Sequence, residues 1–131
     1  MRRLAKGFFV APQVRPEDMA AVAEAGVRTV VNNRPDGEEP GQPTSAQMEA
    51  AARSAGLAYA TVPFGGKPAD ADVAAMSKVL EDCDGPVLAF CRSGTRSAAV
   101  WARVQLARGA PKEELIEAGA SAGYDLRPWL D

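Results

Sequence analysis

Residues 91–97, CRSGTRS, concentrate the side chains that chemistry on an anion requires. Cys91 opens the stretch, and Arg92, Ser93, Gly94, Thr95, Arg96 and Ser97 follow without an apolar residue among them. The apolar run GPVLAF (85–90) leads in, and the helix-forming SAAVWARVQLARG leads out. A strand, a tight turn and a helix start, in that order, aim several backbone N–H groups at one point, with the positive end of the helix dipole behind them. Gly94 gives the turn access to positive φ. The expectation is an anion cradle in which Cys91 is a thiolate nucleophile and Arg96 holds the charge of the bound group. A cysteine at the end of an apolar strand is often just a small buried hydrophobe. Six polar or flexible residues in succession are not what burial alone selects.

Other chemistries are excluded by composition. There is no histidine, so no Cys-His pair, no Ser-His-Asp triad and no histidine-ligated zinc is available. No metal or cofactor is expected. The second cysteine, Cys83, lies on the far side of the strand that delivers Cys91. About five residues at roughly 3.3 Å each separate the two, too far for a disulfide or a resolving thiol.

The elements that must position the loop are legible as alternating short β-rich and alanine-rich runs. Phe8 to Val10 reads as a first strand, and RPEDMAAVAEAG as a helix with Pro16 in its first turn and Gly26 at its stop. VRTVVNN (27–33) is a buried strand, followed by the loop RPDGEEPGQP (34–43). Thr44 with Gln47 forms a capping-box pattern for the next helix, which Gly56 ends. LAYATVPF is a further strand, and ADVAAMSKVLED a helix with Val73, Met76, Val79 and Leu80 at helical spacing. The helix after the cysteine loop stops at Gly109, and another runs from Pro111 to about Ala122. Trp101, Val104 and Leu106 are expected in the core or an interface, with Trp129 anchoring the tail.

This order predicts one domain over 1–131, an α/β fold with a mostly parallel sheet of four to five strands between helical layers. Cys91 would stand at the carboxyl end of the last strand, where such sheets bind ligands. The chain has 131 residues, 47% hydrophobic and 24% charged, with 17 acids against 15 bases. A formal net charge of -2 gives no reason to expect nucleic acid or a membrane surface as partner. The apolar run at Phe8 to Ala11 is too short for a signal-peptide core, and no stretch approaches a membrane span of about 20 residues. A cytoplasmic location with reduced thiols is expected.

Two resemblances sharpen this reading. CRSGTRS resembles the active loop of single-domain rhodaneses, sulfurtransferases that carry a cysteine persulfide. GFFVAPQV, RTVVNNRPDGEEPGQP, GLAYATVPF and GPVLAFCRSGTRS together resemble the beta-lactamase-hydrolase-like phosphatase family over nearly the whole chain. That resemblance implies a three-layer fold like that of protein tyrosine and dual-specificity phosphatases. Some members are fused to a persulfide dioxygenase, which implies a role in sulfide and persulfide handling and a dioxygenase or reductase as partner.

Tyrosine phosphatases place five residues between the cysteine and the arginine; here Arg96 comes one position early. They also use a general acid to protonate the leaving oxygen. The nearest candidates are Asp70 and Asp72, both at a helix start where an acid is often only a cap. A shortened loop and no evident acid favour sulfur transfer as the main expectation, from thiosulfate or a persulfide to a thiol acceptor. A cysteine phosphatase acting on a phosphate ester is the alternative, and a non-catalytic anion- or persulfide-binding module the third. Arg92, Ser93, Gly94, Thr95 and Ser97 are the expected substrate-binding residues. Arg34, with Asp36 in the same loop, should reach this end of the sheet, there to bind substrate or to brace the cysteine loop through Glu38 or Glu39.

Overall fold

The computed structural model describes residues 1–131. Its centre is a five-stranded sheet: β1 (Arg2–Ala5), β2 (Phe8–Ala11), β3 (Thr29–Asn32), β4 (Ala58–Thr61) and β5 (Val87–Phe90), in the order β1-β2-β5-β3-β4. β5 lies between β2 and β3 and runs parallel to both; only the β1–β2 pair is antiparallel. The sheet is thus mixed and mostly parallel. The helices are α1 (Met19–Glu24), α2 (Ser45–Ser54), α3 (Asp70–Asp82), α4 (Thr95–Ala107) and α5 (Lys112–Ser121).

Period-two alternation explains the two cores. In β5, Leu88 and Phe90 face one side, where they pack with Met19, Val22, Met48 and Ala52 of α1 and α2. Val87 and Ala89 face the other, where Met76, Val100, Val104 and Leu115 bring in α3, α4 and α5. A strand covered on both faces must be apolar throughout, as VLAF is. Trp101 stacks on Phe8 with ring centroids 5.7 Å apart, and Val104 is buried while Leu106 and Trp129 pack against the same cluster. Cys83 is half-buried and unpaired, its thiol donating to the Val79 carbonyl at 2.9 Å.

The expected elements are present, most with shorter limits, though the strand from Phe8 extends to Ala11 and α3 begins one residue early at Asp70, and one element was not anticipated. Thr44 accepts from the Gln47 N–H at 3.1 Å while Gln47 accepts from the Thr44 N–H at 2.9 Å, so the capping box forms as read. The stretch from Pro16 starts as a 3-10 turn (Pro16–Asp18) before becoming α1. The unanticipated element is β1. Its two arginines are exposed and only Leu4 is buried, so the amphipathic signal of this edge strand is carried by one side chain.

Candidate active site

β5 ends at Phe90, and the next residue, Cys91, is completely buried. Gly94 caps α4 with φ +93°, the left-handed region that favours glycine. The resulting turn points the Gly94 N–H at the Cys91 sulfur, 3.1 Å away. Ser93 donates to the Thr95 hydroxyl at 3.1 Å, and the Thr95 N–H donates to Ser93 Oγ at 3.4 Å.

Behind the loop, Ser97 is buried and donates to Asn33 Oδ1 at 2.8 Å. Asn33 Nδ2 donates to the Val62 carbonyl at 3.0 Å, and the Asn33 N–H to the Phe90 carbonyl at 2.9 Å. One asparagine therefore locks together the chain leaving β3, the chain leaving β4, the end of β5 and the first turn of α4. Such a buried network is rigid because every member is satisfied.

The arginines are organised by two glutamates. Arg96 donates from both terminal nitrogens to the two carboxylate oxygens of Glu38, each at 2.8 Å, and also to the Phe64 carbonyl at 2.9 Å. Glu38 accepts a further bond at 2.8 Å from Nε of Arg34, which is only 2% exposed. Arg34 completes its fork on Glu39 at 2.8 Å and Gln13 at 3.0 Å. Gln13 in turn donates its backbone N–H to the Arg92 carbonyl at 3.2 Å. The hydrogen bond from Arg96 is the largest influence on Glu38, and with that from Arg34 it outweighs burial and holds the carboxyl down at about 2. Burial pulls Arg34 down, but its bonds to Glu39 and Glu38 more than offset this and its pKa is raised. Arg96 is raised chiefly by its bond to Glu38.

Cys91, Arg92, Ser93, Gly94, Thr95, Arg96 and Ser97 thus lie on one turn, as the sequence expects. Their postures differ. Arg92 is largely exposed, 3.8 Å from Glu39, whereas Ser97 spends its hydroxyl on Asn33 inside the fold. Arg34 is buried with Nε, both terminal nitrogens and its backbone N–H engaged; its position is that of a brace. Asp36 accepts from the Ser45 N–H at 2.8 Å, at the start of α2.

Neither acid candidate hydrogen-bonds to the cysteine loop. Asp72 accepts from the Ala69 N–H at 2.8 Å, which is helix capping. Asp70 lines a groove between α3 and α4 with Arg103, Val104 and Arg108, along the later turns of α4. Sequence reasoning missed Asn33, Gln13 and Tyr124. Asn33 carried a signal, a polar residue closing the apolar run of a buried strand. Tyr124 carried none, lying some thirty positions beyond the loop whose Ser93 carbonyl its hydroxyl meets at 3.4 Å.

The fold agrees with that of solved relatives. The model of the beta-lactamase hydrolase-like protein, phosphatase-like domain, matches residues 1–108. A beta-lactamase hydrolase-like protein of Xylella fastidiosa (strain 9a5c) is 39% identical over 127 residues, 93% of this chain and 30% of that protein. One from Agrobacterium fabrum is 32% identical over 134 residues, 98% of this chain and 31% of that protein. The chain therefore spans under a third of the length of these curated relatives. A crystal structure of a "putative phosphatase" from Neisseria meningitidis Z2491 superposes with a TM-score of 0.88 at 30% identity, covering 98% of this chain and 92% of that one. Kinase associated phosphatase, solved with its catalytic-site cysteine changed to serine, shares the fold at a TM-score of 0.75 and 17% identity, covering 88% of this chain and 75% of that one. The family description and the solved structure at 30% identity speak of a phosphatase, which sides with the second of the two enzymatic expectations and not with sulfur transfer, the first. The chain belongs to the beta-lactamase hydrolase-like phosphatase-like domain family and has the fold of the tyrosine and dual-specificity phosphatases.

Proposed function

We propose that the chain is a cysteine-dependent enzyme of the phosphatase type, with Cys91 as nucleophile. The observation that carries this reading is the Gly94 N–H directed at the Cys91 sulfur from the start of α4. A donor and a helix N-terminus so placed stabilise negative charge on the sulfur and on any anion that meets it. The family and fold support the same class of chemistry, although fold by itself does not fix activity.

In the proposed reaction the Cys91 thiolate attacks phosphorus, an S–P bond forms, and the ester P–O bond breaks with its electron pair on the departing oxygen. Water then attacks the phosphocysteine, the S–P bond breaks, and phosphate and the thiolate are released. Arg96, held in one orientation by Glu38, and the loop N–H groups receive the charge on the equatorial oxygens. Arg92, exposed at the rim, recruits the anion, with the hydroxyls of Ser93 and Thr95 as further donors. Asp72 serves α3 as its cap and Asp70 lines the groove between α3 and α4, so the reaction is read without either as general acid. An ester whose leaving group departs without a proton is accordingly the preferred substrate.

Sulfur transfer is the second reading, favoured by the one-residue-shorter spacing from Cys91 to Arg96. There the thiolate attacks the outer sulfur of thiosulfate or a persulfide, a new S–S bond forms, the donor's S–S bond breaks, and an acceptor thiol takes the sulfur from Cys91. It needs no general acid. A persulfide dioxygenase or a reductase would be the natural partner under this reading.

p-Nitrophenyl phosphate hydrolysis by wild type and Cys91→Ser, with and without vanadate, tests the first reading. Hydrolysis that requires Cys91 and is blocked by vanadate supports it. Absence of hydrolysis alongside cyanide-dependent release of sulfur from thiosulfate-treated protein replaces it with the second.

A further inference from the structure

A trans peptide points its C=O and its N–H in opposite directions, and the chain has no cis bond. The Gly94 N–H that meets the Cys91 sulfur at 3.1 Å therefore shares a plane with a Ser93 carbonyl facing away from that sulfur. This carbonyl accepts from the Tyr124 hydroxyl at 3.4 Å. The preceding peptide is held in the same manner, its Arg92 carbonyl accepting from the Gln13 N–H at 3.2 Å. Two successive carbonyls of the cysteine loop are thus tied from outside it, one by the chain leaving β2 and the other by the turn after α5.

The loop needs the second tie because of Gly94. Glycine accepts either sign of φ at little cost, so the residue that permits the turn at φ +93° also lets the Ser93–Gly94 peptide turn over. Turned over, it would present an oxygen to a negative sulfur. At 3.4 Å the Tyr124 bond is long for an O–H···O contact, but the same hydroxyl also fills the place where a Cβ on Gly94 would project. It abuts both residues of the peptide it holds.

Tyr124 is itself firmly placed. After α5 the Gly123 N–H donates to the Ala120 carbonyl at 3.0 Å and the Tyr124 N–H to the Gly119 carbonyl at 2.8 Å, with Gly123 at φ +93°, which is a Schellman ending. Arg2 of β1 donates to the Ala122 carbonyl at 2.8 Å and lies where a Cβ on Gly123 would project. The edge strand thereby supports the turn that carries the tyrosine. Burial raises the Tyr124 phenol, with Arg2 opposing the rise and the Cys91 charge adding to it, so the hydroxyl keeps its proton and remains a donor.

We propose that Tyr124 is a positioning residue for the nucleophile: its hydroxyl fixes the Ser93–Gly94 peptide so that the Gly94 N–H stays on the Cys91 sulfur. Tyr124 touches no substrate and transfers no proton in this role. The inference rests on the reading of Cys91 as a thiolate nucleophile and adds to it a residue from outside the strand–turn–helix unit.

Tyr124→Phe keeps the ring and removes the hydroxyl. Titration of the thiolate's ultraviolet absorbance against pH, with the same chain carrying Cys91→Ser subtracted, isolates Cys91 from Cys83 and the tyrosines. Arg96, whose charge Cys91 feels, and its partner Glu38 are untouched by the substitution. The Cys91 midpoint should move up by roughly half a pH unit in Tyr124→Phe, about threefold less thiolate on the rising limb, and kcat/KM for p-nitrophenyl phosphate on that limb should fall by the same factor. Cys83, isolated in the same way with Cys83→Ser, should not move. An unchanged Cys91 midpoint overturns the positioning role and leaves the Cys91 chemistry standing. A shift that Cys83 shares also overturns it, because it reports a general loosening of the fold. Absence of a Cys91 thiolate at neutral pH in wild type overturns the nucleophile reading and the positioning role with it.

Discussion

Glu38 grips Arg96 with both carboxylate oxygens at 2.8 Å, and one of those oxygens also accepts from the buried Arg34 at 2.8 Å. The arginine of the cysteine loop is thereby oriented by a residue 58 positions earlier in the chain. Glu38→Gln should lower kcat/KM by roughly tenfold to a hundredfold, because Arg96 loses its fixed aim at the developing charge. It should also cost about 1–3 kcal/mol of stability, since Arg34 keeps Glu39 and Gln13 but loses one charged partner. Steady-state kinetics and urea unfolding of the same variant separate the two effects.

The same contact predicts how stability responds to acid. The folded pKa of Glu38, about 2, lies below its ordinary value of 4.5. The unfolded chain therefore takes up this proton first as pH falls. The stabilisation is complete above the ordinary value and disappears as pH drops from 4.5 toward 2, a loss of order 1–2 kcal/mol after solvent screening. Urea midpoints measured down this range should fall more steeply for wild type than for Glu38→Gln, which has no proton to take up.

Asn33 joins the chain after β3 to the cysteine loop through Ser97 and to the chain after β4 through Val62. Asn33→Leu keeps the bulk and strands the Ser97 hydroxyl and the Val62 carbonyl. A loss of about 2–4 kcal/mol is expected in thermal or urea unfolding, from two buried groups left without partners.

Gly94→Ala should damage the loop by two routes. The alanine must adopt φ near +93°, at a cost of about 1 kcal/mol or more. Its Cβ also runs into the Tyr124 hydroxyl. Tyr124→Phe in the same chain removes that hydroxyl and should restore part of the lost stability, but not the activity, because the backbone strain remains. The double-mutant cycle in unfolding free energy measures the coupling directly.

The site's main features were legible because they are contiguous. Cys91 through Ser97 fall within one turn, and a strand, a glycine and a helix are enough to place them. Thr44 and Gln47 were legible for the same reason, as their mutual capping is a local pattern. The edge strand β1 escaped because only Leu4 is buried in it. Tyr124 and Gln13 escaped because their approach to the loop is purely tertiary. Arg34 was recognised as a brace or a ligand, but a single sequence cannot show that it is buried with its whole fork engaged. The spacing from Cys91 to Arg96 spoke for sulfur transfer, whereas the family and fold speak for phosphatases. The loop's composition identifies an anion site; the atom attacked depends on geometry that residue types do not encode.

The roles of the two aspartates separate cleanly. Asp72→Ala should destabilise α3 by about 0.5–1 kcal/mol, through loss of the bond from the Ala69 N–H. Hydrolysis of an aryl phosphate should change less than twofold in Asp70→Asn and Asp72→Asn, since an aryl oxide departs without their help.

The central claim is that Cys91 forms a covalent bond to the group it attacks. Rapid-quench intact mass spectrometry of wild type and Cys91→Ser, mixed in parallel with p-nitrophenyl phosphate and with thiosulfate, tests it most directly. A phosphoryl adduct confined to wild type and decaying as phosphate appears is the predicted result. A single-sulfur adduct with no phosphoryl adduct would contradict the phosphatase assignment, and an adduct of either kind that persists in Cys91→Ser would contradict the nucleophile.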